Sequence, residues 1–309
     1  MTAPLALLDA ASLYFRAFYA LPDSMTAPDG RPVNAVRGFT DTLTRIIADR
    51  APSRMVVCLD ADWRPRFRVE ALPSYKAHRV AAGQDSEDVP DTLTPQVPII
   101  LEVLAAAGLA SAEAVGFEAD DVIGTLTHRE RRSPVEVITG DRDLLQVVRT
   151  DPTEARVIYV GKGWAKAEVM GEAEVAAKYR VPVRGAGEAY ADMSMLRGDP
   201  SDGLPGVQGI GEKTAAALIT EFGSLAALRA AATADDARIT ARARSALQSS
   251  SEYLDAAPTV VRVATDAPVT LSTSDEIPFG TVDEPALRAL QSRWGLGGSI
   301  DRLLTALRR

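Results

Sequence analysis

The sequence predicts an α/β protein whose central sheet is mainly parallel with flanking helices, followed by a helical second region. Two observations lead there. Apolar, β-rich runs alternate with segments of helical period through the first half of the chain, the pattern of a parallel sheet covered by helices. From Glu172 onward the pattern becomes mostly helical and contains the Gly-rich stretch Gly203–Gly211.

The expected strands are Pro4–Leu8, Arg54–Leu59, Val135–Thr139, Arg156–Val160 and Pro258–Ala264. Between the first four, Phe39–Ala48 and Val97–Ala107 carry apolar residues at helix spacing. A further helix follows Asp120, with Val122, Ile123 and Leu126 on one side. Trp63 to Pro95 is basic, then polar and acidic, without a period, and reads as a mobile excursion. Ala286–Trp294 and Ile300–Leu307 read as helices that pack back on the core.

Composition removes several kinds of chemistry. The two histidines, His78 and His128, lie fifty residues apart, and Cys58 is the single cysteine. Zinc sites built on paired His or Cys are thereby excluded, as is an internal disulfide. Cys58 falls in an apolar run and reads as a buried strand thiol; His128 reads as a solvated helix residue. Catalysis must run on oxygen ligands. No run of about 18 apolar residues suggests a membrane span, and the first residues lack a basic leader, so a cytoplasmic location is expected; a monomer is expected as well. The net charge of −8 argues against a nucleic-acid partner. The window Trp63–Val80, however, holds Arg64, Arg66, Arg68, Lys76 and Arg79 against Glu70, a local +4. Patches rather than totals report on partners.

Acids follow the strand ends: Asp9 the first, Asp60 the second, Asp141 and Asp143 the third. In parallel sheets ligands bind beyond those ends. Each acid alone could be a helix cap; all of them at one sheet edge are harder to explain so. Glu118, Asp120 and Asp121 open a helix together. At about 5 Å and an effective dielectric near 20, each like-charge pair among them costs roughly 3 kcal/mol. A solvated surface tolerates that; a cleft requires cations.

Phe117–Gly124 (FEADDVIG) with Thr139–Gln146 (TGDRDLLQ) resembles the metal-site core of the bacterial and phage 5′ nuclease (flap endonuclease) family. Met195–Ala215 resembles that family's helix-hairpin DNA-binding segment, and Asp9–Ala17 and Ser74–Arg79 also match. The similarity runs to about Thr265. It implies a PIN-like (resolvase-like) nuclease core at 1–168 with a flexible arch at about 62–95, then a helical DNA-binding region at 169–309. It implies a two-metal site for Mg²⁺ or Mn²⁺ made of Asp9, Asp60, Glu118, Asp120, Asp121, Asp141, Asp143, Asp199 and Asp202. K⁺ is implied at the hairpin. In bacterial DNA polymerase I such a module precedes a polymerase; the length here suggests a stand-alone nuclease. One departure is Pro200-Ser201-Asp202-Gly203, where the family usually has Ser-Ser-Asp-Asn. Loss of the Asn side chain leaves that turn less well defined.

The hairpin places Gly at three turn positions before a helix starting near Glu212. Such a turn lets backbone approach closely, and helix-start N–H groups bind phosphate. Gly209, Gly211, Lys213 and Thr214 are the expected contacts, with Arg16, Arg66 and Arg68 as helpers elsewhere. On the arch, Lys76 and Arg79 are expected to orient the scissile phosphate, and Tyr75 to offer a stacking face. The expected activity is hydrolysis of branched or nicked duplex DNA, as 5′ flap endonuclease and 5′-3′ exonuclease, in replication or repair. RNA primers on a duplex are further possible substrates. Two rival readings are a protein of this fold that holds branched DNA without cutting, and a PIN-like RNase.

Overall fold

The computed structural model describes residues 3–80, 87–277 and 282–308. In chain order, β1 (Leu5–Asp9) leads into α1 (Ala10–Ala20) and α2 (Asn34–Arg50), and β2 (Arg54–Cys58) into α3 (Arg66–Ala71) and α4 (Val97–Ala106). Then come β3 (Ala110–Glu113), α5 (Ala119–Arg129), β4 (Val135–Thr139), β5 (Ala155–Tyr159) and β6 (Glu168–Met170). The helical stretch holds α6 (Glu172–Tyr179), α7 (Ala186–Arg197), α8 (Glu212–Phe222), α9 (Leu225–Thr233), α10 (Ala241–Ser249) and α11 (Ser251–Val261). The chain closes with β7 (Thr270–Leu271), α12 (Glu284–Trp294) and α13 (Ser299–Leu307).

The seven strands form one sheet in the order β6-β5-β4-β1-β2-β3-β7. Its five inner strands are parallel and both edge strands antiparallel. Alternate residues divide the core in two. Leu5, Leu7, Val56, Cys58, Val135 and Val137 face α5 and the α6–α11 helices. Ala6, Leu8, Met55, Val57 and Ile138 face α2, α4, α12 and α13. This period of two is what a strand covered on both sides requires. The last two helices thus return to the first half of the chain, where Arg302 of α13 pairs with Asp41 of α2 at 2.7 Å. Among the described residues no single helix is long and apolar enough to cross a membrane.

Register positions the acids. Asp9 lies opposite Cys58, and Leu8 opposite Ile138. The residues just beyond β1, β2 and β4 therefore emerge together at the carboxyl edge.

The structure corrects two expectations. Pro258–Ala264 is not a strand: its first four residues end α11. Leu254, Ala257 and Val260 recur at helix spacing and are buried. Pro258 has no N–H for the Leu254 carbonyl one turn back, and Arg229 Nη1 donates there instead at 3.2 Å. Residues 262–264 then cross α5 as a strap. The expected excursion is also partly regular. It contains α3 and short 3₁₀ turns at Ala77–Arg79 and Thr94–Gln96, while residues 81–86 lie outside the described residues. Gln96 is buried and its Oε1 accepts from the N–H of Ala35 and Val36, capping α2 from sixty residues away.

The strap depends on Gly124. A Cβ there would stand 2.5 Å from Val263 Cγ2 and 2.7 Å from the Ala264 carbonyl oxygen. We expect Gly124→Ala to lower stability by about 1–3 kcal/mol, the cost of an overpacked contact. Urea unfolding measures it, and an unchanged midpoint would contradict this packing.

Candidate active site

Three parallel strands end at one cleft of about 610 Å³. Asp9 ends β1 and caps α1: its Oδ1 accepts from Ser12 N at 3.1 Å and its Oδ2 from Thr139 Oγ1 at 2.6 Å. Asp60 follows β2 and accepts from Ala119 N at 2.8 Å, which seats it against the start of α5. Asp141 and Asp143 follow β4; Asp143 N donates to Asp141 Oδ1 at 2.9 Å. Glu118 caps α5, and Asp120 sits in its first turn. After α7, Asp199 caps a 3₁₀ turn by accepting from Ser201 N at 2.8 Å, and Asp202 ends that turn. These eight acids line the cleft with Glu87, nine carboxylates against the cations Lys76, Arg79, Arg142 and Arg197.

The electrostatics follow from that imbalance. Burial, with Asp60 and Asp141 nearby, pushes Asp9 up to about 7 despite the Thr139 hydrogen bond. Burial and then Asp9 and Asp141 hold Asp120 well above the usual carboxylate range. Burial and then Asp141, Asp202 and Asp199 do the same to Asp143. Desolvation by the cleft walls first, and then Asp202 and Asp199, raises Asp141 too, against the hydrogen bond from Asp143 N. Carboxylates that raise one another in a low-dielectric cleft gain most from a bound cation. The donor set is all oxygen, which suits Mg²⁺ or Mn²⁺. Among the described residues no three acids form a closed group at metal-ligand spacing; the site is an open cleft.

Asp121 departs from the expected set. It is 0% exposed, faces away from the cleft, and its two oxygens accept from Arg68 at 2.7 and 2.8 Å. Arg68 departs as well: at 2% exposure it cannot meet DNA. Tyr75 offers no stacking face, because its ring is buried and its hydroxyl donates to Glu118 at 2.7 Å. The cleft instead presents Phe15, Trp63 and Tyr159. Lys76 pairs with Glu118, and Arg79 with Asp202 at 2.6 Å. Arg66 lies on the surface, paired with Glu70 at 2.6 Å. Arg16 rests against Gly140 and lines a separate pocket between α1 and α2 rather than the cleft.

Gly203 has a structural reason. Its φ is +74°, and a Cβ would lie 2.1 Å from the Ser74 carbonyl oxygen. Glycine lets the Ser74–Lys76 segment dock on this turn, with Lys76 N donating to the Asp202 carbonyl at 3.0 Å and Ser74 Oγ to the Gly203 carbonyl at 2.8 Å. The turn is defined by these contacts rather than by an Asn side chain. Beyond it, Gly209, Gly211, Lys213 and Thr214 are exposed together at the start of α8. Glu212 reaches back to Arg197 in the cleft wall at 3.3 Å. Arg242 of α10 lies over Gly209, 3.5 Å from where a Cβ would stand. Sequence reasoning missed Arg142, Arg197, Arg242 and Glu87. Arg142 and Arg197 adjoin motif acids and could have been named; Arg242 and Glu87 carry no signal in the linear chain.

An acid-lined carboxyl edge on a resolvase-like sheet, with a helical hairpin beside it, is the build of a nuclease. Comparison with known proteins agrees. The 5′-3′ exonuclease N-terminal resolvase-like domain matches residues 4–180, and the 5′-3′ exonuclease C-terminal SAM fold matches residues 186–284. A 5′-3′ exonuclease of Mycobacterium tuberculosis is 57% identical, over 99% of this chain and 98% of that one. One from Streptomyces coelicolor is 55% identical over 97% and 99%. A solved bacteriophage T5 flap endonuclease, a pseudo-enzyme–product complex with DNA and metal ions, superposes with a TM-score of 0.64. It covers 99% of this chain and 100% of its own at 16% identity, a likeness of fold. The chain belongs to the 5′-3′ exonuclease family.

Proposed function

We propose that this enzyme is a structure-specific 5′ flap endonuclease and 5′-3′ exonuclease that hydrolyses phosphodiester bonds of branched or nicked duplex DNA. The observation that carries the reading is the cleft itself, where nine carboxylates face four cations. In our reading Mg²⁺ or Mn²⁺ is held there by Asp9, Asp60, Glu118, Asp120, Asp141, Asp143, Asp199 and Asp202. Two such ions supply an activated water and a stabilised leaving oxygen when bound.

The protein's own groups then have defined tasks. A phosphate entering the cleft competes with Glu118 and Asp202 for Lys76 and Arg79, so both cations are delivered at the reacting centre. Phe15 and Trp63 offer faces for an unpaired base. The exposed hairpin glycines, with Lys213 and Arg242, grip a duplex backbone without reading its bases. We place the K⁺ that the family resemblance implies on that hairpin. The setting is replication or repair, with a cytoplasmic monomer acting on 5′ flaps, nicks, 5′ ends and RNA primers paired to DNA.

Binding should weaken steeply with salt despite the acidic chain, because phosphate contacts release counterions. Lys213→Ala should lower affinity about equally for unrelated duplexes and reduce the salt slope by about one. A strong base preference, or affinity indifferent to salt, would count against the hairpin. The substrate class is tested by product lengths from 5′-labelled flap, nicked duplex, blunt duplex and single-stranded RNA. Flap and nick should be cut at the junction and RNA spared; preferential cutting of RNA would favour the PIN-like RNase reading.

A further inference from the structure

Behind the acidic cleft stands a buried guanidinium that the proposed chemistry does not use. Arg68 donates through both Nη atoms to Asp121 at 2.8 and 2.7 Å, and its Nη1 also pairs with Glu118. Its Nε donates to the Val260 carbonyl at 3.1 Å. Three distant segments thus meet on one side chain: the arch base, the start of α5 and the end of α11. Asp121 extends the junction by accepting from Ala264 N at 2.8 Å and from Glu118 N at 3.2 Å. The strap is laced from its other side too, by Gln146, whose Nε2 donates to the Val261 carbonyl and whose Oε1 accepts from Val263 N, both at 3.0 Å.

We infer that Arg68 is a positioning residue: it fixes the Glu118 carboxylate at the cleft edge and ties that placement to the docked strap. The inference rests on the reading that Glu118 belongs to the metal site. Glu118 and Asp121 repel each other at one helix start, and a buried acid without a partner is strongly unfavourable. A planar fork serves both acids at once. Lysine brings the charge but cannot present two donors in one plane, so charge alone does not replace the fork.

The test compares the full chain with Arg68→Lys, Arg68→Met, Glu118→Gln and the corresponding double variants. Single-turnover cleavage of a flap in Mg²⁺ is read beside flap affinity in Ca²⁺. Arg68→Lys should cut the rate by about 10–100-fold, as loss of a ligand's outer partner does. Affinity should stay within about threefold, and the Mg²⁺ concentration for half-maximal rate should rise. If Arg68 acts through Glu118, adding Arg68→Lys to Glu118→Gln should cost less than about threefold more, because coupled residues are not additive. Multiplying losses, a near wild-type Arg68→Lys rate, or a defect confined to affinity would overturn the inference. Arg68→Met leaves buried Asp121 without a cation and Glu118 with Lys76 and the Tyr75 hydroxyl; if it does not fold, the lysine cycle decides. Full turnover in Glu118→Gln would overturn the inference by removing Glu118 from the site, which separates that failure from a failure of Arg68 alone.

Discussion

Asp143→Asn should abolish cleavage, with a single-turnover rate down by more than about 100-fold, since even an outer partner of a metal ligand is worth about 10–100-fold. Asparagine keeps the shape of the side chain and removes its charge. Asp143 is held far above the ordinary carboxylate range by burial and by Asp141, Asp202 and Asp199, so its charge is the kind a cation would secure. Its backbone N–H, which orients Asp141 at 2.9 Å, is untouched by the change. Asp141→Asn should behave alike, because an amide oxygen can still accept that bond. Flap binding should largely survive in both, since duplex affinity is assigned to the hairpin and its cations. Rapid-quench cleavage beside equilibrium binding in Ca²⁺ checks this; near-normal turnover in both variants would remove the pair from the site.

Lys76→Ala should cut the single-turnover rate by on the order of 100-fold, comparable to losing one transition-state donor. Its ammonium is mostly enclosed and pairs with Glu118 at the cleft wall, and its backbone is pinned to Asp202. The charge is therefore presented to a phosphate only after the strand has entered. An interaction of that kind lowers turnover more than affinity when removed, so binding in Ca²⁺ should change only a few-fold. A large binding defect with an unchanged rate would make Lys76 an ordinary phosphate contact.

The parallel sheet was legible because β1, β2, β4 and β5 are apolar runs, the first three leading straight into acids. What stayed hidden was short or small-sided. β3 is Ala-Ser-Ala-Glu, β6 has three residues and β7 two. These pair because neighbours present free edges, a cue no local pattern carries. Pro258–Ala264 misled because an apolar β-branched run with Pro suits a strand end, whereas Arg229 from another helix makes the proline tolerable. Motif acids revealed the cleft, but not which side of α5 each one takes. Asp120 and Asp121 are adjacent, and only tertiary pairing with Arg68 turns Asp121 away. The same burial explains Tyr75 and Arg68: in sequence they look like an exposed aromatic and an exposed cation, and in space both are buried against Glu118.

On the proposed function, the carboxylate cleft cuts DNA only with divalent cations bound. Digestion of one 5′-labelled flap across titrations of Mg²⁺ and of Mn²⁺, with EDTA as the endpoint, tests it most directly. Cleavage at the junction should rise with either ion and stop in EDTA, with the flap still bound. Undiminished cleavage in EDTA would contradict it, and so would a flap held tightly and never cut at any metal concentration.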